Sequence, residues 1–233
     1  MLDRAKRLLL ETLDALAEEI DAGIPLVVLE PSCAAVFRDE LLNLFPNDQR
    51  GRQLSQQTYL LSEFLEKKAP DFTPPKLPRR ALVHGHCHHK SLMKMTDEES
   101  ILRKMDIAYE SPAPGCCGMA GSFGFEKEKY GVSIAVGELE LMPAVRQASP
   151  ETLIIADGFS CREQIAQGSH RHSLHLAEVI QLAMNGADET YPERRRVEVR
   201  KAAIEKSMCN AGLITAAAAT TAAAIWLLTH RDR

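Results

Sequence analysis

Three kinds of cysteine pattern are missing from this 233-residue chain. It has no Cys-x2-Cys pair of the kind that structural zinc sites use, and no four-cysteine run like that of small ferredoxins. Its six cysteines are too few for a disulfide scaffold at this length. The first residues predict a charged amphipathic helix rather than the apolar core of a secretory signal. We therefore expect reduced thiols and a cytoplasmic location.

A large excess of charge of one sign is also missing, and long apolar runs are scarce. A net charge of −4 and a sequence pI of about 6.1 argue against a nucleic-acid partner. No flavin or nicotinamide fingerprint is present. One uncharged stretch of 18 residues, 211–228, is long enough for a membrane span. Because it is mostly alanine, a packed helix is the alternative, and membrane association through this tail stays open.

The apolar pattern alternates between short strands and amphipathic helices. Four segments read as buried strands, at 25–30, 81–84, 107–110 and 153–156. Strands that alternate with helices predict right-handed crossovers. The expected fold is α/β, a Rossmann-like parallel sheet with flanking helices, plus a helical C-terminal tail. Helices are predicted at about 4–21, 34–45, 55–68, 97–104, 126–148 and 174–184.

The most informative pattern that is present is a pair of adjacent cysteines, Cys116-Cys117-Gly118. Adjacent cysteines rarely bond to each other, because disulfide geometry is narrow. The pair lies in a glycine-rich turn, 115–124, which also contains Gly121. Glycines let the backbone approach an inorganic cluster and direct amide N–H groups at it. Gly118 and Gly121 are therefore candidate cofactor-binding residues.

Five cysteines follow the carboxyl ends of predicted strands. Ligands of parallel sheets gather at that edge, so these distant residues can converge there. The spacing is 28 residues between Cys87 and Cys116, and 43 between Cys117 and Cys161. Soft thiolates at this density favour an iron–sulfur cluster over zinc. The candidate metal ligands are Cys87, Cys116, Cys117 and Cys161, with Cys33 as an additional candidate; Cys209 lies apart from them.

A histidine-rich segment, 84–89, surrounds Cys87. It resembles the metal-binding loop of two-metal hydrolases, but a histidine stands where that loop needs an aspartate. We favour a role for these imidazoles in tuning a cluster by hydrogen bonding or coordination, and His86 is the candidate. Lys90 is a candidate for offsetting the negative charge of a thiolate-bound cluster.

Three motifs together resemble a known family. They are His86-Cys87-His88, the Cys116-Cys117-Gly118 turn and Asp157-Gly158-Phe159-Ser160-Cys161. This combination is similar to the cysteine-rich "CCG" domain that occurs in heterodisulfide reductase and in the iron–sulfur component of glycolate oxidase. It is most similar to the C-terminal part of fused FAD-linked oxidases.

The family pattern implies two repeats, each closed by a Cys-x-x-Cys pair. Glu30 and Gly158 replace the first cysteine of these pairs, which favours an ordinary [4Fe–4S] cluster over a non-cubane one. The opening of the first repeat is missing, so we expect a truncated chain. The predicted organisation is a remnant of the first repeat at 1–69, a proline-rich linker at 70–79, a cluster-binding repeat at 80–187 and a helical tail at 188–233.

By this resemblance, the chain is expected to be the electron-transfer part of a flavin-dependent 2-hydroxyacid dehydrogenase of the glycolate or D-lactate type. FAD would belong to a partner protein or a missing domain. A quinone or another carrier would accept the electrons. Two alternatives stay open: a binding or scaffold remnant that lost its cluster, and a metal-dependent hydrolase that uses residues 84–89.

Overall fold

The computed structural model describes residues 1–112, 115–186 and 201–210. The chain divides into two compact units, Met1–Tyr191 and Pro192–Arg233. In the second unit, residues 201–210 are helical and exposed. The uncharged stretch 211–228 lies outside the described residues, as does most of the predicted tail.

All the strand pairs in the described residues are parallel, and they form two sheets. The first sheet pairs β1 with β2, and the second has the order β4-β3-β5. The strands are β1 Leu26–Val28, β2 Thr58–Leu60, β3 Arg80–Val83, β4 Ala108–Glu110 and β5 Leu153–Ile155.

Helices connect the strands, as parallel pairing requires. Two of the helical segments continue through π-helical turns, Val36–Glu40 and His89–Met93, and Phe123–Phe125 is a 3-10 turn. The α-helices of the first unit are α1 Leu2–Ala15, α2 Ala17–Asp21, α3 Pro31–Ala35, α4 Leu41–Leu44, α5 Gln49–Gln57, α6 Leu61–Lys67, α7 Thr96–Lys104, α8 Tyr130–Gly137, α9 Leu141–Gln147, α10 Phe159–Gly168 and α11 Leu176–Met184.

The three-stranded sheet is covered on both faces, which explains the continuous apolar runs of β3 and β5. Val83 and Ile155 point to the face packed against α7 and α11. Leu82 and Ile154 point to the opposite face, packed against α9 and α10. Cys117 and Cys161 belong to this second core, so the core that stabilises the sheet also fixes two of the predicted ligands.

The prediction of an α/β fold with parallel sheets, flanking helices and a helical C-terminal region is confirmed. The four predicted strands are present with shifts of one or two residues at their ends. The predicted helix 55–68 is interrupted by β2, because Thr58–Leu60 pairs with β1. The predicted helix 126–148 is two helices, α8 and α9, and α10 was not predicted.

Among the helices of residues 1–112, 115–186 and 201–210, none combines the length and the apolar character that a membrane crossing requires.

Candidate metal centre

Four predicted ligands come from three loops at one edge of the three-stranded sheet. Cys87 follows β3, and the Cys116-Cys117 pair follows β4. Cys161 lies in the first turn of α10, shortly after β5. Since the three strands run parallel, their carboxyl ends share an edge and the three loops begin side by side.

The sulfurs of these residues are linked by a series of close contacts. The Sγ atoms of Cys87 and Cys116 are 3.7 Å apart. The thiol of Cys117 interacts electrostatically with the thiols of Cys116 and Cys161, and these interactions raise its pKa. Cys87 is exposed, Cys116 is half-buried, and Cys117 and Cys161 are buried. The group therefore runs from the protein surface into the core.

The pKa is lowered for two of the four thiols and raised for the other two. Bonds with Cys117, with Cys87 and with the Gly118 amide lower the pKa of Cys116. Bonds with Cys117 and His84 lower the pKa of Cys161 against the opposing effect of burial. The pKa values of Cys87 and Cys117 are raised, because each shares its proton with Cys116 and is partly or fully buried. A cation that bound all four sulfurs would take the place of these protons.

The Cys-Cys-Gly turn depends on a left-handed glycine. Gly118 has a φ of +88°, and its N–H donates to the Cys116 sulfur at 3.3 Å. A Cβ at this position would lie 2.0 Å from the carbonyl oxygen of Ser133, in α8. Gly121 also has a positive φ, +65°, but a Cβ there would meet no heavy atom within 4 Å. Of the two predicted glycines, Gly118 is the one that contacts a cysteine sulfur.

Lys90 lies beside the turn, where the sequence predicted a compensating charge. Its Nζ donates to the carbonyl oxygen of Gly115 at 3.1 Å. Its positive charge opposes the rise in the pKa of Cys87. The ammonium group is therefore positioned to offset negative charge at the outer end of the cysteine group.

The histidines of 84–89 face different partners. His84 is buried and, together with Cys117, lowers the pKa of Cys161, while its Nε2 has no hydrogen-bond partner among the described residues. The ring of His86 packs on Gly158, and its Nδ1 accepts from the His88 amide at 3.2 Å. His89 is 1% exposed and faces another helix. This divergence gives no support to a shared two-metal centre in the segment.

Glu30 is the residue whose role the sequence did not predict. Its carboxylate accepts from the Ser32 amide at 2.6 Å and from the Cys33 amide at 3.2 Å, at the start of α3. It also accepts from the Phe159 amide at 3.1 Å, at the start of α10. Burial opposes ionisation, but the Ser32 hydroxyl, which donates to Glu30 at 2.7 Å, and the Cys33 and Phe159 amides outweigh it and lower the pKa of Glu30. One carboxylate thus joins the loop that follows β1 to the loop that carries Cys161.

Cys33 lies near this junction but in α3, which follows β1 of the two-stranded sheet. Cys33 is exposed overall, but its sulfur is partly buried. This partial burial and the negative charge of Glu30 both raise the pKa of the thiol. Within the described residues, its sulfur does not join the contacts among Cys87, Cys116, Cys117 and Cys161.

The chain is similar to several dehydrogenases. It is 27% identical over 163 residues to D-2-hydroxyglutarate dehydrogenase of Pseudomonas putida, and the match covers 69% of this chain and 15% of that protein. It is 26% identical over 189 residues to one of the subunits of the anaerobic glycerol-3-phosphate dehydrogenase of Escherichia coli K12, and this match covers 78% of this chain and 46% of that protein. No family model matches the chain. It spans less than half the length of either relative.

The side chains at the site fit an iron–sulfur cluster chemically. Four sulfurs converge, two of them already favoured as thiolates. A backbone N–H points at a sulfur, and a lysine ammonium lies beside the turn. Thiolate ligation, N–H···S bonds and nearby positive charge are what such clusters need.

The left-handed turn yields a first prediction. Gly118→Ala should lower the free energy of unfolding by about 1–3 kcal/mol, because alanine is strained at this φ. The contact of its Cβ with the Ser133 carbonyl should lower the stability further. Urea unfolding measures the change. The matched control is Gly131→Ala in α8, where a Cβ meets no heavy atom within 4 Å and alanine favours the helix. Equal stability of the two variants would contradict this view of the turn.

A second prediction concerns the position where the family pattern has a cysteine. A Cβ at Gly158 would lie 2.5 Å from Cδ2 of His86. Gly158→Ala should therefore cost about 1–3 kcal/mol of stability through overpacking. In a His86→Ala background the same change should cost clearly less, which a double-mutant cycle measures by urea unfolding. Strictly additive costs would show that the His86 ring does not fill this space.

Proposed function

We propose that this chain is an iron–sulfur electron-transfer component of a flavin-dependent dehydrogenase. The observation that carries the proposal is the meeting of the sulfurs of Cys87, Cys116, Cys117 and Cys161 at one sheet edge. Several relatives are D-2-hydroxyglutarate dehydrogenases and others are subunits of an anaerobic glycerol-3-phosphate dehydrogenase, so similarity to dehydrogenases supports this function in addition to the cysteine motif. We propose a 2-hydroxyacid of the glycolate or D-lactate type as the substrate of the complete system.

The four cysteines would hold a [4Fe–4S] cluster, which supplies one-electron storage when bound. The replacement of a closing cysteine by Gly158 supports the cubane form, because the His86 ring takes the space next to that position. Gly118 would stabilise the reduced charge through its amide, and Lys90 would do so through its ammonium. His84 would hydrogen-bond the Cys161 sulfur. Cys33 remains an additional candidate ligand. Its exposed position in α3, away from the four sulfurs, does not favour this role.

Electrons would enter or leave on the side where the site is exposed. Cys87 is exposed and Cys116 half-buried, whereas Cys117 and Cys161 are enclosed by the core. A flavin-bearing partner protein or domain would therefore approach the surface around Cys87. The electrons would pass onward to a quinone or another carrier.

The proposed organisation follows the two sheets. Residues 1–69 contain β1 and β2 and would be the remnant of a first repeat. Residues 80–187 contain the other sheet and the four sulfurs, with 70–79 as the linker. The bond from Phe159 to Glu30 supports a continued structural role for the remnant, because it connects the two parts directly.

The third prediction tests the vicinal pair. Cys116→Ser and Cys117→Ser should each lose most of the iron and acid-labile sulfide after anaerobic purification, because serine is a poor ligand for iron–sulfur clusters. Cys209→Ser is the matched control, since Cys209 is exposed in the separate unit, and it should keep both.

The outcomes separate the proposal from its alternative. Brown wild-type protein with equal iron and sulfide, lost in both variants, supports electron transfer. Colourless wild-type protein that still binds a flavin-dependent dehydrogenase would instead identify a scaffold without a cluster. Full iron retention in both serine variants would remove the vicinal pair from the site.

A further inference from the structure

Behind the cysteine loops lies a second group of potential ligands that the proposed cluster does not use. His89 comes from the π-helical turn after Cys87, Glu98 from α7 and Asp157 from the loop before α10. Their exposed fractions are 1%, 2% and 6%. One ligand atom from each lies within 4.8 Å of the other two. Three distant segments thus direct one imidazole and two carboxylates at a common point.

Three potential ligand atoms of this group, on His89 and Glu98, have no hydrogen-bond partners that would explain their burial. Both ring nitrogens of His89 and Oε2 of Glu98 are buried without a hydrogen bond among the described residues. Nδ1 of His89 and Oε2 of Glu98 are nevertheless 3.3 Å apart. They approach each other closely but not with hydrogen-bonding geometry, and an unpaired buried polar atom is costly.

The 3.3 Å separation has a simple interpretation. Two ligand atoms that each lie about 2.0–2.1 Å from a tetrahedral metal ion are about 3.3 Å from one another. Lone pairs aimed at a shared ion need not be aligned for a hydrogen bond to each other. The spacing and the poor alignment therefore both agree with co-ligands of one ion.

Nearby charges do not neutralise the two carboxylates. His175 lies 3.5 Å from Asp157, but its Nδ1 accepts from the Ala177 amide at 3.0 Å. Its Nε2 faces the Leu29 carbonyl at 2.8 Å and must donate to it. A histidine bonded in this way uses both ring nitrogens in hydrogen bonds and has no free lone pair for a metal. Among the described residues, no lysine or arginine forms an ion pair with Glu98 or Asp157.

Asp157 is held in place by a bond that still leaves it able to bind a metal. Its Oδ1 accepts from the Leu176 amide at 2.8 Å, at the start of α11. A carboxylate has several acceptor sites, so this bond orients the group without using all of them. Such outer hydrogen bonds are usual for metal-binding carboxylates.

We propose that His89, Glu98 and Asp157 bind one divalent first-row transition-metal ion at a site distinct from the four cysteines. One nitrogen and two oxygens form a donor set suited to Mn²⁺, Fe²⁺ or Zn²⁺. The ion supplies the positive charge that the buried carboxylates lack. It ties α7 to the loops that carry Cys87 and Cys161. This inference does not depend on the proposed electron-transfer function.

The test uses Mn²⁺ as the probe, because thiolates are poor ligands for it. The full chain, purified anaerobically, is dialysed against Mn²⁺, and bound manganese is counted by electron paramagnetic resonance and elemental analysis. The wild type and Cys116→Ser should each bind one Mn²⁺ per chain, whatever their sulfide content. Glu98→Gln should bind none and keep the wild-type sulfide content. Glu99→Gln, the neighbouring partly exposed carboxylate, is the matched control and should bind as the wild type does.

The melting temperature gives a second measurement, and its expected change differs between a site that binds an ion and a site that does not. With an ion bound, Mn²⁺ raises the melting temperature of the wild type and leaves that of Glu98→Gln unchanged. If the site holds no ion, Glu98→Gln removes an unpaired buried carboxyl and melts higher than the wild type whether or not Mn²⁺ is present. That result, or wild-type protein that binds no Mn²⁺, would overturn the proposal. Manganese binding equal in Glu98→Gln and wild type would overturn it as well.

Discussion

The functional interpretation of this structure depends most on the closeness of four cysteine sulfurs at the sheet edge where three parallel strands end. Cys116 and Cys161 favour the thiolate form, while Cys87 and Cys117 retain protons between them. Four thiolates in such proximity would repel one another strongly, especially where Cys117 and Cys161 are buried. The proposed iron–sulfur cluster would remove this conflict, because its iron ions would take the place of the shared protons. The arrangement therefore has the chemistry expected of a set of metal ligands.

The surrounding fold holds this ligand set through close backbone approaches. Gly118 places its amide on a cysteine sulfur while its missing side chain leaves room for the Ser133 carbonyl. Glu30 joins the amino ends of α3 and α10, so the small two-stranded sheet supports the loop of Cys161. The proposed His89, Glu98 and Asp157 site would stabilise the same loops from the interior. The Gly118 turn, the Glu30 hydrogen bonds and the proposed metal site would each help to position a segment that carries a cysteine sulfur.

Local sequence patterns predicted much of the fold and the sheet edge where the cysteines meet. Strand patterns located β3, β4 and β5, and parallel strands leave little choice for where their loops gather. Local patterns failed where a distant partner decides the structure. Thr58–Leu60 reads as part of a helix until its pairing with β1 is known. Glu30 reads as a lost cysteine, because the Phe159 amide that it binds is 129 residues away. Glu98 reads as one of several acidic residues on α7 until its burial is seen.

X-ray absorption at the iron edge, on protein reconstituted with iron and sulfide, tests the central claim most directly. Convergence of the four cysteines on a cluster predicts a first shell made of sulfur alone, with iron as the next neighbour. It also predicts that this signal is lost from a variant in which the two adjacent cysteines are changed together. Iron surrounded by oxygen or nitrogen, or a sulfur shell that survives that change, would contradict the claim.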